Sequence, residues 1–131
     1  MAAAVCHGPT VLVGLKLSDG RQLVDGRRVA CFTNDEERAV GMIDVVPFLL
    51  TDALAAFGAT LDQAPPFMPH TVVDGRLVTG QNPASAKAVA EEAVALLDAP
   101  GRGRPIERSR AGAEGWEDEE RSLEGDCSAL G

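Results

Sequence analysis

A short apolar run, Ala2-Ala3-Ala4-Val5, stops at Cys6 and is followed at once by His7-Gly8-Pro9. No other stretch restricts the chain as much. Gly8 allows a tight backbone, and Pro9 suits the first turn of a helix, where its missing N–H costs nothing. Thr10 to Leu17 then continues as an apolar run long enough for about two helical turns. The pattern predicts a strand that breaks at Cys6 into a helix, with the positive helix end aimed at the sulfur and favouring thiolate over thiol. This is the strand–nucleophile–helix elbow of hydrolases with cysteine in the position of serine. A cysteine closing an apolar run is also the mark of a small buried core residue, so the reading rests on the Cys-His-Gly-Pro context.

The remainder of the composition narrows the function by exclusion. A length of 131 residues allows one domain, and a net charge of −8 speaks against nucleic-acid binding. No apolar run reaches the roughly 18 residues of a membrane helix, and the N-terminus lacks the basic start and apolar segment of a secretory signal. The three cysteines have no paired spacing that would give a disulfide framework or a zinc site. Two histidines without ligand spacing, and the lack of phosphate-binding glycine patterns, lead us to expect neither a metal nor another cofactor. A reducing, cytoplasmic setting fits. Residues 99–131 are rich in Gly, Arg, Glu and Ser, with Trp116 and Cys127 isolated. Such a segment cannot bury enough surface to offset its ordering entropy, so disorder is expected there and the fold in residues 1–98.

Between these ends, turn chemistry and periodicity predict alternating elements. Ser18-Asp19-Gly20 ends the first helix. Asp25-Gly26, between Arg21–Val24 and Arg28–Phe32, predicts a hairpin. Asn34 is read as the cap of a short helix, with Glu37 returning to it. Asp44 to Gly58 has the spacing of an amphipathic helix, with Pro47 in its first turn and Gly58 as its stop. A short strand near Thr60-Leu61 precedes a proline-rich loop. His70–Val73 and Arg76–Thr79 then flank a second Asp-Gly turn at Asp74-Gly75. Asn82 and Pro83 predict the start of a helix running over Ala84–Leu97, with Ala88, Val89, Ala93, Val94 and Leu97 on one face. His70, beside Pro69 and a strand, is read as structural.

Cys6-His7-Gly8-Pro9, Phe32-Thr33-Asn34 with Glu36-Glu37, and the stretch Asp74-Gly75-Arg76-Leu77-Val78-Thr79-Gly80-Gln81-Asn82-Pro83-Ala84-Ser85-Ala86 together resemble the ThiJ/PfpI family. That family lies within the class I glutamine amidotransferase-like superfamily, and the resemblance is nearest to its heat-shock chaperone and glyoxalase III branch. It implies an α/β fold, a flavodoxin-like three-layer sandwich, represented here by its C-terminal half. The family's N-terminal half supplies the first strands of the sheet, a carboxylate near the cysteine and a Gly-rich loop of the oxyanion hole, and Met1 stands where a strand interior is expected. The resemblance also implies a Cys-His-acid triad: Cys6 as nucleophile, His7 beside it, and Glu37 as the acid, with Glu36 as the alternative if the register slips by one. Cys6 thiolate would form a hemithioacetal with an aldehyde, His7 would move protons, Glu37 would orient the ring, and the His7 backbone N–H would be one oxyanion donor. His7 as a simple turn cap, and the acidic run as a solvated helix start, stay open as readings of the residues themselves. The implied activity is the glutathione-independent conversion of methylglyoxal to lactate, on a small reactive aldehyde, in a homodimer. Its alternatives are a holding chaperone, an amidase or peptidase, and an inactive fragment. True glutamine amidotransferase chemistry fits less well, since its histidine lies far downstream of the cysteine.

Overall fold

The computed structural model describes residues 1–99; Pro100 and the predicted tail with Trp116 and Cys127 lie outside the described residues. Strand β1 (Ala2–Val5) pairs in parallel with β5 (Leu77–Gly80), from Ala2 opposite Leu77 to Val5 opposite Gly80. On its other side β5 pairs antiparallel with β4 (Thr71–Asp74), so the sheet order is β1-β5-β4. β5 is buried along its whole length, as a central strand should be. A second, two-stranded parallel pair joins β2 (Arg28–Val29) to β3 (Thr60–Leu61). Helix α3 (Ala86–Asp98) packs on β5 and β1. Gly80 permits that approach, because a Cβ there would lie 2.6 Å from Val89 Cγ2 and 2.8 Å from Ser85 Cβ. Leu12, Val24, Val29, Cys31, Leu50, Leu54 and Leu77 form the main core cluster. The fold is α/β with a mixed sheet.

The second Asp-Gly turn forms the expected hairpin, shifted by one residue. Asp74 pairs with Leu77, so Gly75-Arg76 is the two-residue loop, and only Gly75 has a positive φ (+59°). That is the glycine-first pattern of a type II′ turn rather than I′. The short strand at Thr60-Leu61 and the stop at Gly58 (φ +92°) also occur where the sequence places them.

Five expectations require correction. The first helix is only a 3-10 turn, Gly8–Leu12, because Val13 is already extended and Gly14 turns left-handed at φ +73°. Ser18-Asp19-Gly20 is instead the tip of a small antiparallel loop, closed by Lys16 opposite Gln22 and by the Leu17 N–H donating to the Arg21 carbonyl (2.8 Å). Asp25-Gly26 does turn the chain, but the strand after it pairs in parallel with β3 and makes no hairpin. Helix α2 spans only Leu50–Ala56. Pro47 disfavours helical geometry in Val46, so the preceding residues make separate turns and leave Val45 and Phe48 exposed. On α3, Val89 is buried as expected, whereas Val94 and Leu97 are exposed.

Candidate active site

Cys6 stands at the end of β1 in the left-handed region, at φ +61°, where a non-glycine residue is strained. Backbone hydrogen bonds fix that position from both sides. The Cys6 N–H donates to the Gly80 carbonyl (2.9 Å), and the Cys6 carbonyl accepts from the Phe32 N–H (3.0 Å). Gly8, by contrast, has no positive φ, and a Cβ there would meet Ala4 Cβ at an ordinary 3.4 Å. The bend therefore falls on the cysteine itself. The chain beyond β2 reaches it by running past β5, where the Ala30 N–H donates to Thr79 Oγ1 (2.9 Å).

Helix α1 (Asn34–Ala39) brings the acid. Its N-cap is Thr33, one residue earlier than the sequence reading had it. Thr33 Oγ1 accepts the Glu36 N–H, and Glu36 Oε2 accepts the Thr33 N–H (2.9 Å), which makes a capping box. With Glu36 turned back into the cap, the next side chain, Glu37, faces His7 and bonds through Oε1 to His7 Nε2. Glu37 is nearly buried (4 % exposed), while the His7 side chain is half exposed. On the other ring nitrogen, Nδ1 lies 3.4 Å from Cys6 Sγ. A carboxylate on Nε2 selects the tautomer that leaves the Nδ1 lone pair facing the thiol. The Phe32 ring packs against the imidazole, centroid to centroid 4.6 Å. The structure thus brings Cys6, His7 and Glu37 into one line, and directs Glu36 elsewhere.

The sulfur's electrostatics differ from the expectation. Burial pushes the Cys6 thiol above its ordinary value; the His7 backbone N–H opposes this, and the Glu36 and Glu37 carboxylates push it further up. A five-residue 3-10 turn has too little aligned dipole to reverse the sign. Cys31, wholly buried in the core, is pushed up to about 12, mainly by burial. Burial alone would raise the Glu36 carboxyl, but its hydrogen bonds from Thr33, Asn82 and Phe67 outweigh that and hold it below its ordinary value. His70 bonds to Asp62 (2.9 Å), which also pairs with Arg28, away from this cluster. Among the described residues, no group of three His, Cys, Asp or Glu side chains is arranged to hold a metal ion, and no helix is long and apolar enough to cross a membrane. A concavity of about 250 Å³, lined by Met1, Leu23, Arg27 and Arg76 among others, lies at the opposite end of β1 from Cys6.

Three residues around the site carried no functional reading in the sequence. Thr33 was readable, because Thr-x-x-Glu is itself a capping-box signature. Asn82, read as a helix cap, makes no side-chain cap bond; it donates to Glu36 Oε1 (2.9 Å) and to the Met68 carbonyl (2.7 Å). Phe67 sits in the proline-rich loop with no local signal.

No family model matches the chain. Individual proteins do. A glutathione-independent glyoxalase of Schizosaccharomyces pombe is 37% identical over 103 residues, covering 72% of this chain and 43% of that protein. One from Saccharomyces cerevisiae is 35% identical over 103 residues, covering 74% and 44%. Among solved structures, glyoxalase III from Candida albicans superposes with a TM-score of 0.67 at 35% identity, over 71% of this chain and 42% of that one. Rapid Encystment Protein 24 KDa from Francisella tularensis gives 0.69 at 35% identity, over 71% and 41%. The chain spans less than half the length of the relatives it matches. Over that shared stretch, sequence and fold agree that it is homologous to the glutathione-independent glyoxalases, the glyoxalase III branch of the ThiJ/PfpI family.

Proposed function

We propose that the chain carries the nucleophile, base and acid of a glutathione-independent glyoxalase that converts methylglyoxal to lactate. The observation that carries the reading is the Cys6–His7–Glu37 line, with the sulfur 3.4 Å from Nδ1 and the carboxylate on Nε2. In this scheme Cys6 Sγ adds to the aldehyde carbon as its proton passes to His7, and the resulting alkoxide is protonated to a hemithioacetal. His7 then removes the proton from that carbon and returns one to the neighbouring carbon, while the hydroxyl proton passes to the former ketone oxygen, so the adduct becomes a lactoyl thioester. Water cleaves the thioester, releasing lactate and restoring the thiol, and no external oxidant or reductant is consumed. Glu37 holds the imidazole in the required tautomer. The His7 backbone N–H is one donor for the oxyanion. The relatives also favour reading the mixed sheet as part of a flavodoxin-like three-layer sandwich.

The test is methylglyoxal loss and lactate formation by the full chain, beside Cys6→Ala. Turnover that disappears with the sulfur supports the reading. Lack of turnover by the wild-type chain, or turnover equal in Cys6→Ala, refutes it.

A further inference from the structure

Among the described residues only two non-glycine positions have a positive φ, Cys6 (+61°) and Phe67 (+62°). Strain at the nucleophile has an evident use. An aromatic residue in the same region needs a comparable reason, because such strain persists only where surrounding contacts enforce it. Those contacts converge on one buried group. The Phe67 N–H donates to Glu36 Oε1 (2.8 Å), and Glu36 is fully buried. Asn82 Nδ2 donates both to that oxygen and to the carbonyl of Met68, the next residue in the loop. Ser85 Oγ donates to Asn82 Oδ1 (3.1 Å) and accepts the His70 N–H (3.0 Å), which closes the loop's far end.

Glu36 Oε2, meanwhile, holds the Thr33 cap of the helix that carries Glu37. One carboxylate therefore sets both the acid and the loop. The effort does not bury the Phe67 ring, which stays 47% exposed. It stands edge-on to Phe32 (6.3 Å between centroids, 67°), and Phe32 packs on His7. An exposed aromatic held in a strained backbone, one ring removed from a half-exposed imidazole, is placed to meet a ligand.

We propose that Phe67, locked by Glu36 and Asn82, is the specificity-determining wall of the Cys6 site, admitting small carbonyl compounds and turning away bulky ones. The proposal rests on the reading of Cys6 as the reacting atom, but its test needs no turnover. The full chain is treated with iodoacetamide or with N-benzyliodoacetamide, and modification of Cys6 is followed by peptide mass spectrometry. In the wild type the small reagent is favoured. Phe67→Ala shifts the small-to-bulky rate ratio toward the bulky reagent by about tenfold, the scale of steric pocket discrimination. Phe67→Gly shifts it equally while suiting the left-handed backbone, so a folding defect in the alanine variant cannot mimic the effect. Glu36→Gln, which sets an amide N–H₂ against existing donors, shifts the ratio in the same direction. A ratio unchanged in both Phe67 variants means that the ring only packs on Phe32, and overturns the proposal. Equal acceleration with both reagents means that it merely shields the sulfur, and overturns it too. Failure of the glyoxalase reading would show separately, as methylglyoxal turnover that is absent or indifferent to Cys6→Ala.

Discussion

Gly80→Ala tests how the sheet supports the nucleophile. The new Cβ would lie 2.6 Å from Val89 Cγ2, 2.8 Å from Ser85 Cβ and 3.2 Å from Val5 Cγ2. The first two distances are too short for any real contact. Ser85 Cβ adjoins the backbone and Val89 is buried, so α3 must move off β5 or the end of β5 must shift. Overpacking of this kind costs about 1–3 kcal/mol. At about 4–8 °C per kcal/mol for a domain of this size, the melting temperature falls by roughly 5–20 °C. The same carbonyl that accepts the Cys6 N–H belongs to Gly80, so Cys6 should also lose its fixed turn and react faster with iodoacetamide. Thermal denaturation by circular dichroism measures the first effect and peptide mass spectrometry the second. Val89→Ala in the same chain removes the closest clash, so the double variant should be less destabilised than the sum of the singles, by about 1 kcal/mol. A melting temperature within about 1 °C of wild type would refute the close approach of α3 to β5.

Two further outcomes follow from the site. Alkylation of folded Cys6 should reach half-maximal rate at a higher pH than the same cysteine in the urea-unfolded chain, whose ordinary value is 9.0. Cys31, raised to about 12, should stay unmodified until the fold opens, and the stability linked to it is fully present below its ordinary value of 9.0 and lost as pH rises toward about 12, with Cys6 contributing in the same direction. Glu37→Gln keeps the shape of the acid but permits either ring tautomer, so methylglyoxal turnover should fall by about 10²–10⁴-fold with little change in melting temperature, as measured by lactate release and circular dichroism.

What the sequence disclosed follows the range of the interactions involved. The bend at Cys6 and the β4–β5 hairpin are made by adjacent residues, so both were legible. Arg28-Val29 was legible as a strand but not in its pairing: its partner, Thr60-Leu61, lies some thirty residues on, and nothing in Asp25-Gly26 specifies it. Pro47 carried the information that shortens α2, since the residue before a proline avoids helical geometry. Thr33 and Asn34 are both good caps, and only the fit of Glu36 into the Thr33 cap decides between them. That one-residue choice turns Glu37, rather than Glu36, onto His7. Phe67 and Asn82 were illegible for a different reason. Their conformations are imposed by a carboxylate thirty or more positions away, and neither follows from local preference.

The raised Cys6 thiol has a consequence for how the proposed chemistry begins. A nucleophile held as thiolate by a helix end would need only access to its substrate. Here burial and two nearby carboxylates favour the protonated form, so the proton must leave as the sulfur attacks. His7 Nδ1, at 3.4 Å, is within reach to take it. The ring can do so only if its other nitrogen keeps its proton, and that is the nitrogen Glu37 engages. The same negative charge that disfavours free thiolate would favour a thiolate paired with imidazolium, because the pair carries no net charge beside the carboxylate. On this account the elbow contributes position, through the left-handed backbone at Cys6, while the activation of the sulfur comes from α1, thirty residues later. Glu37→Gln removes a carboxylate that raises the Cys6 thiol but also frees the ring tautomer, whereas in a chain carrying His7→Gln only the first effect is left. Glu37→Gln should therefore speed Cys6 alkylation more without the imidazole than with it. If Glu37→Gln changed the alkylation rate by the same factor with and without the imidazole, the carboxylate would be acting on the sulfur only through its charge, and the relay from Glu37 through His7 to Cys6 would have to be abandoned.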